Sequence, residues 1–333
     1  MSIMKTKYLL GICALAIGSL AFTSCSDDDN YDVVGNPNTL VFFNINEEPA
    51  TGMPDFTYTY QIKHTPVGSI ITSNPGAVDI YVYSTKNASS DITVNLAVDN
   101  NVVVDGYTAI PSNAGIKVSL SKSTVTIPAG SNVSSEAVTV TLDESSANWS
   151  ALDAEATYVV PVTLTSATGA VASQSRGTMY IGISTSTTES MLNTEATEVS
   201  GTAITDYSGW SATYTLSGSE NAITASKLFD NNRGTYAYFK SGEIINNIDL
   251  GKTYNLRSLM FRYYSSYYTV GTGLLETSVD GENWTTYDKI TWSDTSNERI
   301  FVFYAPMAMR YIRFTTTNAT SNGTALSDFV AYE

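Results

Sequence analysis

From residue 39 onward the chain alternates apolar and polar residues with a period of two. Val78-Asp79-Ile80-Tyr81-Val82, Ile92-Thr93-Val94-Asn95-Leu96-Ala97-Val98, Val138-Thr139-Val140-Thr141-Leu142 and Met179-Tyr180-Ile181-Gly182-Ile183 are plain cases. Successive side chains of a strand point to opposite faces, so this pattern buries one face and leaves the other wet. Tyr is abundant, and Val, Ile and Thr fill the periodic stretches, as strands favour. Turn signals part the runs at Ala129-Gly130-Ser131-Asn132, Thr168-Gly169 and Asp280-Gly281. The best helical stretch is short, near Asn221 to Phe229. The predicted class is all-β, with two β-sandwich domains of mainly antiparallel sheets.

The first residues address the compartment. Lys5 and Lys7 precede an apolar run from Tyr8 to Phe22. That run is too short for a comfortable membrane span and reads as a signal peptide over 1–24. It ends Phe22-Thr23-Ser24-Cys25, and small residues before a Cys resemble the lipobox of bacterial lipoproteins. The resemblance implies that Cys25 is freed and acylated as a lipid anchor. Asp27-Asp28-Asp29 follow at once. An acidic cluster there resembles the surface-export signal of Bacteroidota lipoproteins, implying an outer-membrane, cell-surface location. Read from the residues alone, it is a solvated acidic spacer.

The two cysteines are Cys13 and Cys25. One lies in the removed peptide and the other would be acylated, so stability must come from packed cores rather than disulfides. With Lys5 and Lys7 removed, 15 basic residues face 32 acidic ones, a net of −17. Such a balance, without a basic run, argues against nucleic acid and against charge-driven binding to anionic lipid. Membrane contact is then expected through the anchor only.

The predicted order is a flexible acidic tether over 25–38, a spacer sandwich over 39–185, a linker over 186–190 and a second sandwich over 191–333. The linker belongs to a Ser/Thr-rich run, Ser184 to Ser190. In the spacer, Ser123-Thr124-Val125-Thr126-Ile127-Pro128-Ala129-Gly130 precedes Tyr158-Val159-Val160-Pro161-Val162-Thr163-Leu164-Thr165-Ser166. Val125 and Ile127 should face a core, Pro128 and Gly130 should make a turn, and Pro161 should sit at a sheet edge or bulge. The phrase order resembles a domain of unknown function in Bacteroidota surface lipoproteins, set between the anchor and a glycan-related module.

The second region carries five phrases in order. They are Lys227-Leu228-Phe229-Asp230-Asn231-Asn232-Arg233-Gly234-Thr235, Ile248-Asp249-Leu250-Gly251, Ser278-Val279-Asp280-Gly281-Glu282-Asn283-Trp284, Arg310-Tyr311-Ile312-Arg313-Phe314 and Leu326-Ser327-Asp328-Phe329. This order resembles the discoidin, or coagulation factor 5/8 type C, family and its galactose-binding-like carbohydrate-binding branch. It implies a discoidin-type jelly roll. Two departures stand out: Ala237 replaces the usual Trp, and Asp328 replaces a Glu. Read plainly, Asp280-Gly281 is a hairpin turn, Trp210 and Trp284 are core anchors, and Ile312 and Phe314 are core positions.

The loop Lys227 to Thr235 offers a carboxylate, a hydroxyl and carbonyls, as hard cations require; it also reads as a polar turn. The resemblance implies a structural calcium. It would take backbone oxygens of Lys227 and Asn232, side chains of Asp230 and Thr235, and Ser327 and Asp328 to close the cage.

Sugars are held by apolar ring faces on aromatic side chains with a few polar groups fixing hydroxyls. The residues nominated for ligand binding are Tyr238, Lys240, Tyr264, Tyr267, Tyr268 and Trp292. The Ser265-Ser266 pair reads as a loop tip, and Trp292 as a loop aromatic. No catalytic set can be assembled; the single His, His64, lies in a polar stretch and reads as solvated. The expected role is non-enzymatic capture of a polysaccharide or host glycan for neighbouring outer-membrane uptake proteins. The alternative is an adhesin for a host protein or lipid surface.

Overall fold

The computed structural model describes residues 38–45, 58–240, 242–294, 296–318 and 321–333. The predicted signal peptide, the anchor Cys25 and the tether up to residue 37 lie outside the described residues. The described residues are all-β, broken only by short 3-10 turns. No helix among them is long and apolar enough to cross a membrane.

The first unit is built from β1 (Leu40–Phe43), β2 (Thr59–Thr65), β3 (Gly68–Ser73), β4 (Val78–Ile80), β5 (Val82–Ser84), β6 (Ile92–Val98), β7 (Val118–Leu120), β8 (Thr124–Ile127), β9 (Val138–Leu142), β10 (Thr157–Ala167), β11 (Val171–Ala172) and β12 (Thr178–Thr187). A six-stranded sheet runs β3-β2-β12-β10-β6-β8, and two three-stranded sheets run β11-β1-β5 and β4-β9-β7. All three bury side chains in one shared core. The alternating residues do this directly: in β6, Ile92, Val94 and Leu96 are buried while Asn95 and Ala97 are exposed. Val125 and Ile127 enter the same core, and Gly130 takes a left-handed φ of 85° in the turn, as the sequence implied.

Pro161 departs from expectation. It lies in β10, which is an interior strand between β12 and β6. The sheet tolerates it because it sits one residue beyond the last β10–β6 pair, Val162↔Val98. There its carbonyl still accepts from the Asp99 N–H at 3.4 Å, while its missing donor faces the end of the neighbouring strand.

The linker also departs. Strand β12 runs through Ser184 to Thr187 and pairs in parallel with β2 up to Thr187↔His64. Ladder hydrogen bonds, rather than apolar periodicity, extend the strand, so the Ser/Thr composition concealed it.

The second unit is built from β13 (Leu192–Asn193), β14 (Ser211–Leu216), β15 (Ser219–Ile223), β16 (Ala237–Phe239), β17 (Glu243–Tyr263), β18 (Val270–Ser278), β19 (Thr285–Thr286), β20 (Ile290–Thr291), β21 (Glu298–Asn318) and β22 (Thr324–Tyr332). The main order is β15-β14-β17-β21-β18-β19, and β22 pairs with both β16 and β17. The 21-residue strands β17 and β21 shift register between Asp249/Tyr254 and between Leu256/Ser258, so their two halves carry different neighbours. Gly251 at the first shift has φ 75°, and a Cβ there would meet the Gly209 carbonyl oxygen at 2.7 Å. The expected helix near Asn221 to Phe229 is instead the end of a β14–β15 hairpin followed by a 3-10 turn over Ala225–Lys227. Pairing of Asn221 with Tyr214 across the hairpin decides this.

A second core fills this unit. Ile312 and Phe314 are fully buried, and Trp210 packs among Tyr207, Phe229, Tyr254 and Phe329, as expected. Trp284 corrects the sequence reading. It is half-buried on the outer face of the sheet, with the Arg313 guanidinium 3.9 Å from its ring centroid. Its Nε1 donates to the Gly281 carbonyl at 3.0 Å. It lines a groove of about 330 Å³ rather than the core. Arg313 arrives from β21 outside the core, and only tertiary structure could place it there.

Candidate functional site

Two features meet where β16, β22 and the end of β17 pair: an aromatic patch and an oxygen-lined loop.

The patch comes from alternation. Ala237 and Phe239 of β16 are buried, which turns Tyr238 outward to 50 % exposure and Tyr236 to the same side. Thus the family's Trp position faces inward as Ala237, and aromatic rings occupy the two flanking outward positions. At the end of β17, Tyr263 is buried and Tyr264 is turned outward. The chain then folds into a 3-10 turn over Ser266–Tyr268, where the Tyr268 N–H donates to the Ser265 carbonyl at 3.0 Å. Burial keeps the Tyr263 phenol protonated far above its ordinary range.

The outward rings meet. Tyr236 and Tyr264 have centroids 4.9 Å apart, Tyr264 and Tyr268 6.1 Å, and Tyr238 and Tyr268 6.2 Å. Their planes are tilted by 47°, 55° and 77° in the same order. Tyr238 of β16 and Tyr236 just before it therefore face two rings from the 264–268 turn across a non-planar patch. The Tyr238 hydroxyl donates to the Asn322 carbonyl at 2.7 Å, which fixes one wall. Tyr267 is 68 % exposed in the same turn, and exposed Lys240 continues the outward alternation of Tyr238. Tyr236 was not among the nominated residues; the Tyr-Ala-Tyr spacing was the signal that could have found it.

Trp292 does not join this patch. It is half-buried, meets Phe301 and Phe314 edge-on, and carries the Arg299 guanidinium 4.9 Å from its ring centroid. Trp292 thus lies apart from the patch and packs against core rings, with its outer side lining a separate groove of about 430 Å³ beside Leu192, Asp294 and Arg299. Gly273 makes the room, since a Cβ there would meet Phe314 at 2.4 Å and Trp292 at 2.8 Å.

The loop after the 3-10 turn is folded by its own polar groups. Asp230 Oδ1 accepts the Asn232 N–H at 3.0 Å, and Asn231 takes a left-handed φ of 51°. Thr235 Oγ1 lies 2.6 Å from Asp230 Oδ2 and 2.8 Å from the Asn232 carbonyl oxygen. Three of the oxygens implied for calcium thus converge. Asp328 on β22 is buried, and its Oδ2 has no hydrogen-bond partner. Burial raises the Asp328 carboxyl above its ordinary range; the Arg262 charge and the N–H groups of Asn232 and Asn231 lower it, and nearby Asp230 raises it further. A buried carboxylate oxygen without a hydrogen bond, 3.6 Å from the Arg262 guanidinium and near the Asp230 carboxylate, the Thr235 hydroxyl and the Asn232 carbonyl oxygen, fits a hard cation. No cluster of three His, Cys, Asp or Glu stands among the described residues, so any cage here depends on neutral oxygens. Lys227 ends the 3-10 turn leading into the loop. The Ser327 hydroxyl donates to the Arg262 carbonyl at 2.9 Å, which engages its side chain with β17.

His64 is half-buried rather than solvated. Its Nδ1 lies 2.7 Å from Ser69 Oγ, and its Nε2 is buried without a partner. No ion pair reaches the ring among the described residues, so the contact ties β2 to β3 and no triad forms.

Comparison with known proteins agrees with this division. Residues 200–328 match the family model of the F5/8 type C domain, and the second unit is a domain of this discoidin type. Residues 37–171 match a family model described as an N-terminal domain. No curated protein matches the chain. Among solved structures, the chain is similar to a two-domain protein of unknown function from Bacteroides fragilis. Identity there is 16 %, covering 92 % of this chain and 99 % of that one, with a TM-score of 0.42. It is also similar to the family 32 carbohydrate-binding module of NanJ from Clostridium perfringens in complex with galactose. Identity is 20 %, covering 40 % of this chain and 98 % of that one, with a TM-score of 0.34.

Proposed function

We propose that the second domain is a carbohydrate-binding module that takes a glycan on the patch formed by Tyr236, Tyr238, Tyr264 and Tyr268. The F5/8 type C match supports the class, and the four tilted, outward tyrosines carry the reading. Aromatic faces in water offer apolar surface to a pyranose ring, and their hydroxyls with Lys240 offer hydrogen bonds to its rim. A patch of this size gives modest affinity, because loop and ligand must both be ordered. The finer role is a lipoprotein anchored through Cys25 on the outer membrane. There it captures polysaccharide or host glycan for neighbouring uptake proteins, and many tethered copies strengthen the hold by avidity. The loop 227–235 holds a structural calcium with Asp328; when bound, the metal would cross-link this loop to β22. A glycan array probed with the protein from Ser26 onward tests the reading. Signal that disappears on double substitution of Tyr264 and Tyr268 by Ala supports it. An array without signal, or binding to a protein ligand that survives the double substitution, refutes it.

A further inference from the structure

Arg262 sits in β17 opposite Asp328 of β22 and Glu298 of β21. Its guanidinium reaches into the oxygen-lined loop. Nη1 donates to Asn231 Oδ1 at 3.1 Å and stands 3.6 Å from Asp328 Oδ2, while Nε donates to Glu298 Oε1 at 3.1 Å. Arg233, from the loop itself, shares the same Glu298 oxygen at 2.7 Å. The loop is thereby tied to β22 and β21 by a charge belonging to the chain. An Arg side chain carries its charge at any ordinary pH and spreads it over a planar fork, which suits it to several oxygen partners at once.

We infer that Arg262 is a resident cation of this loop: its guanidinium holds the loop against the last strand when no metal is present, and calcium enters against a fixed positive charge. The second half rests on the proposed calcium site. The loop then needs no metal to keep its shape, and the metal adds stability to a loop already held. Two cations near one buried carboxylate repel, so the guanidinium weakens the metal while substituting for it. Removing Arg262 should therefore act in opposite directions on the two quantities. Loss of the resident charge loosens the metal-free loop, and the same loss strengthens calcium binding.

The test is thermal melting and calcium calorimetry on the purified protein, comparing wild type with Arg262→Gln, Arg262→Lys and Glu298→Gln. In chelator, Arg262→Gln should melt about 5 °C or more below wild type. In calcium its affinity should rise on the order of tenfold. Arg262→Lys, which keeps the charge, should hold calcium affinity near wild type. Glu298→Gln, which leaves the guanidinium and removes a neutralising charge, should not raise calcium affinity. If Arg262→Gln does not fold without metal, Asn231→Gly cuts the same link while keeping the backbone conformation and should lower the metal-free melt. A metal-free melt unmoved by both variants overturns the inference, as does a calcium affinity that Arg262→Gln leaves unchanged or weakens. If calcium binds neither wild type nor variants, the calcium reading falls by itself. The metal-free melts then decide whether Arg262 holds the loop.

Discussion

Asp249 and Arg310 are 61 positions apart and form a two-armed ion pair, Nε donating to Oδ1 at 2.7 Å and Nη2 to Oδ2 at 2.9 Å. The same Oδ1 accepts the Gly251 N–H at 2.8 Å, so one carboxylate ties the corner of β17 to β21. Arg310 in turn lies 4.7 Å from the ring centroid of Tyr311.

This pair gives a pH prediction. The hydrogen bond from Arg310 holds the Asp249 carboxyl below its ordinary range, against the opposing effect of burial. A depressed folded-state pKa contributes stability above the unfolded value, near 3.9, and loses it as pH falls through the folded value. Asp249→Asn should thus lower the melting temperature by a few degrees at pH 7, a modest shift because the pair is partly exposed. The curves should converge in acid, once the pH has fallen below the depressed folded value. A gap that persists there would mean the loss is steric rather than electrostatic.

Calcium should act through mass action. A ligand that binds only the folded state stabilises it, so chelator should lower the melting temperature of wild type. Asp230→Ala should remove the difference. An unchanged melt, together with no metal by elemental analysis, would eliminate the structural calcium.

The tyrosine patch and Trp292 should separate cleanly. Tyr264→Ala or Tyr268→Ala should weaken glycan retention in affinity electrophoresis by about tenfold while moving the melt little, since exposed side chains add little to a core. Trp292→Ala should do the reverse. Losing its contacts with Phe301 and Phe314 should cost about 2–4 kcal/mol and leave retention by the folded protein intact. Retention lost with Trp292 but kept without the tyrosines would move the site.

Acylation of Cys25 is expected to hold the protein on membranes. In cell fractionation, Cys25→Ala should appear in the soluble fraction, and protease added to intact cells should cleave wild type. Wild type cleaved only after lysis would place the anchor on an inner face.

Local pattern determined much of this protein. Period-two alternation was enough to place Ile92, Val94 and Leu96 in a core, and the phrase Lys227 to Thr235 marked a polar loop whose Asp230 and Thr235 do meet. Where backbone pairing outweighed composition, the pattern misled: Ser184 to Thr187 extend β12, and Asn221 belongs to a hairpin. The site needed the tertiary structure. Tyr236 and Tyr264 touch because β16 and β17 both pair with β22, and Arg262 faces Asp328 through the register of two strands remote in sequence. Trp284 and Trp292 look alike as aromatics beside polar turns, yet one lies under Arg313 on the outer sheet face and the other against Phe314. A strand's sequence fixes which side chains share a face. Which face meets which depends on strand pairing between distant segments, and that is decided only when the whole sheet closes.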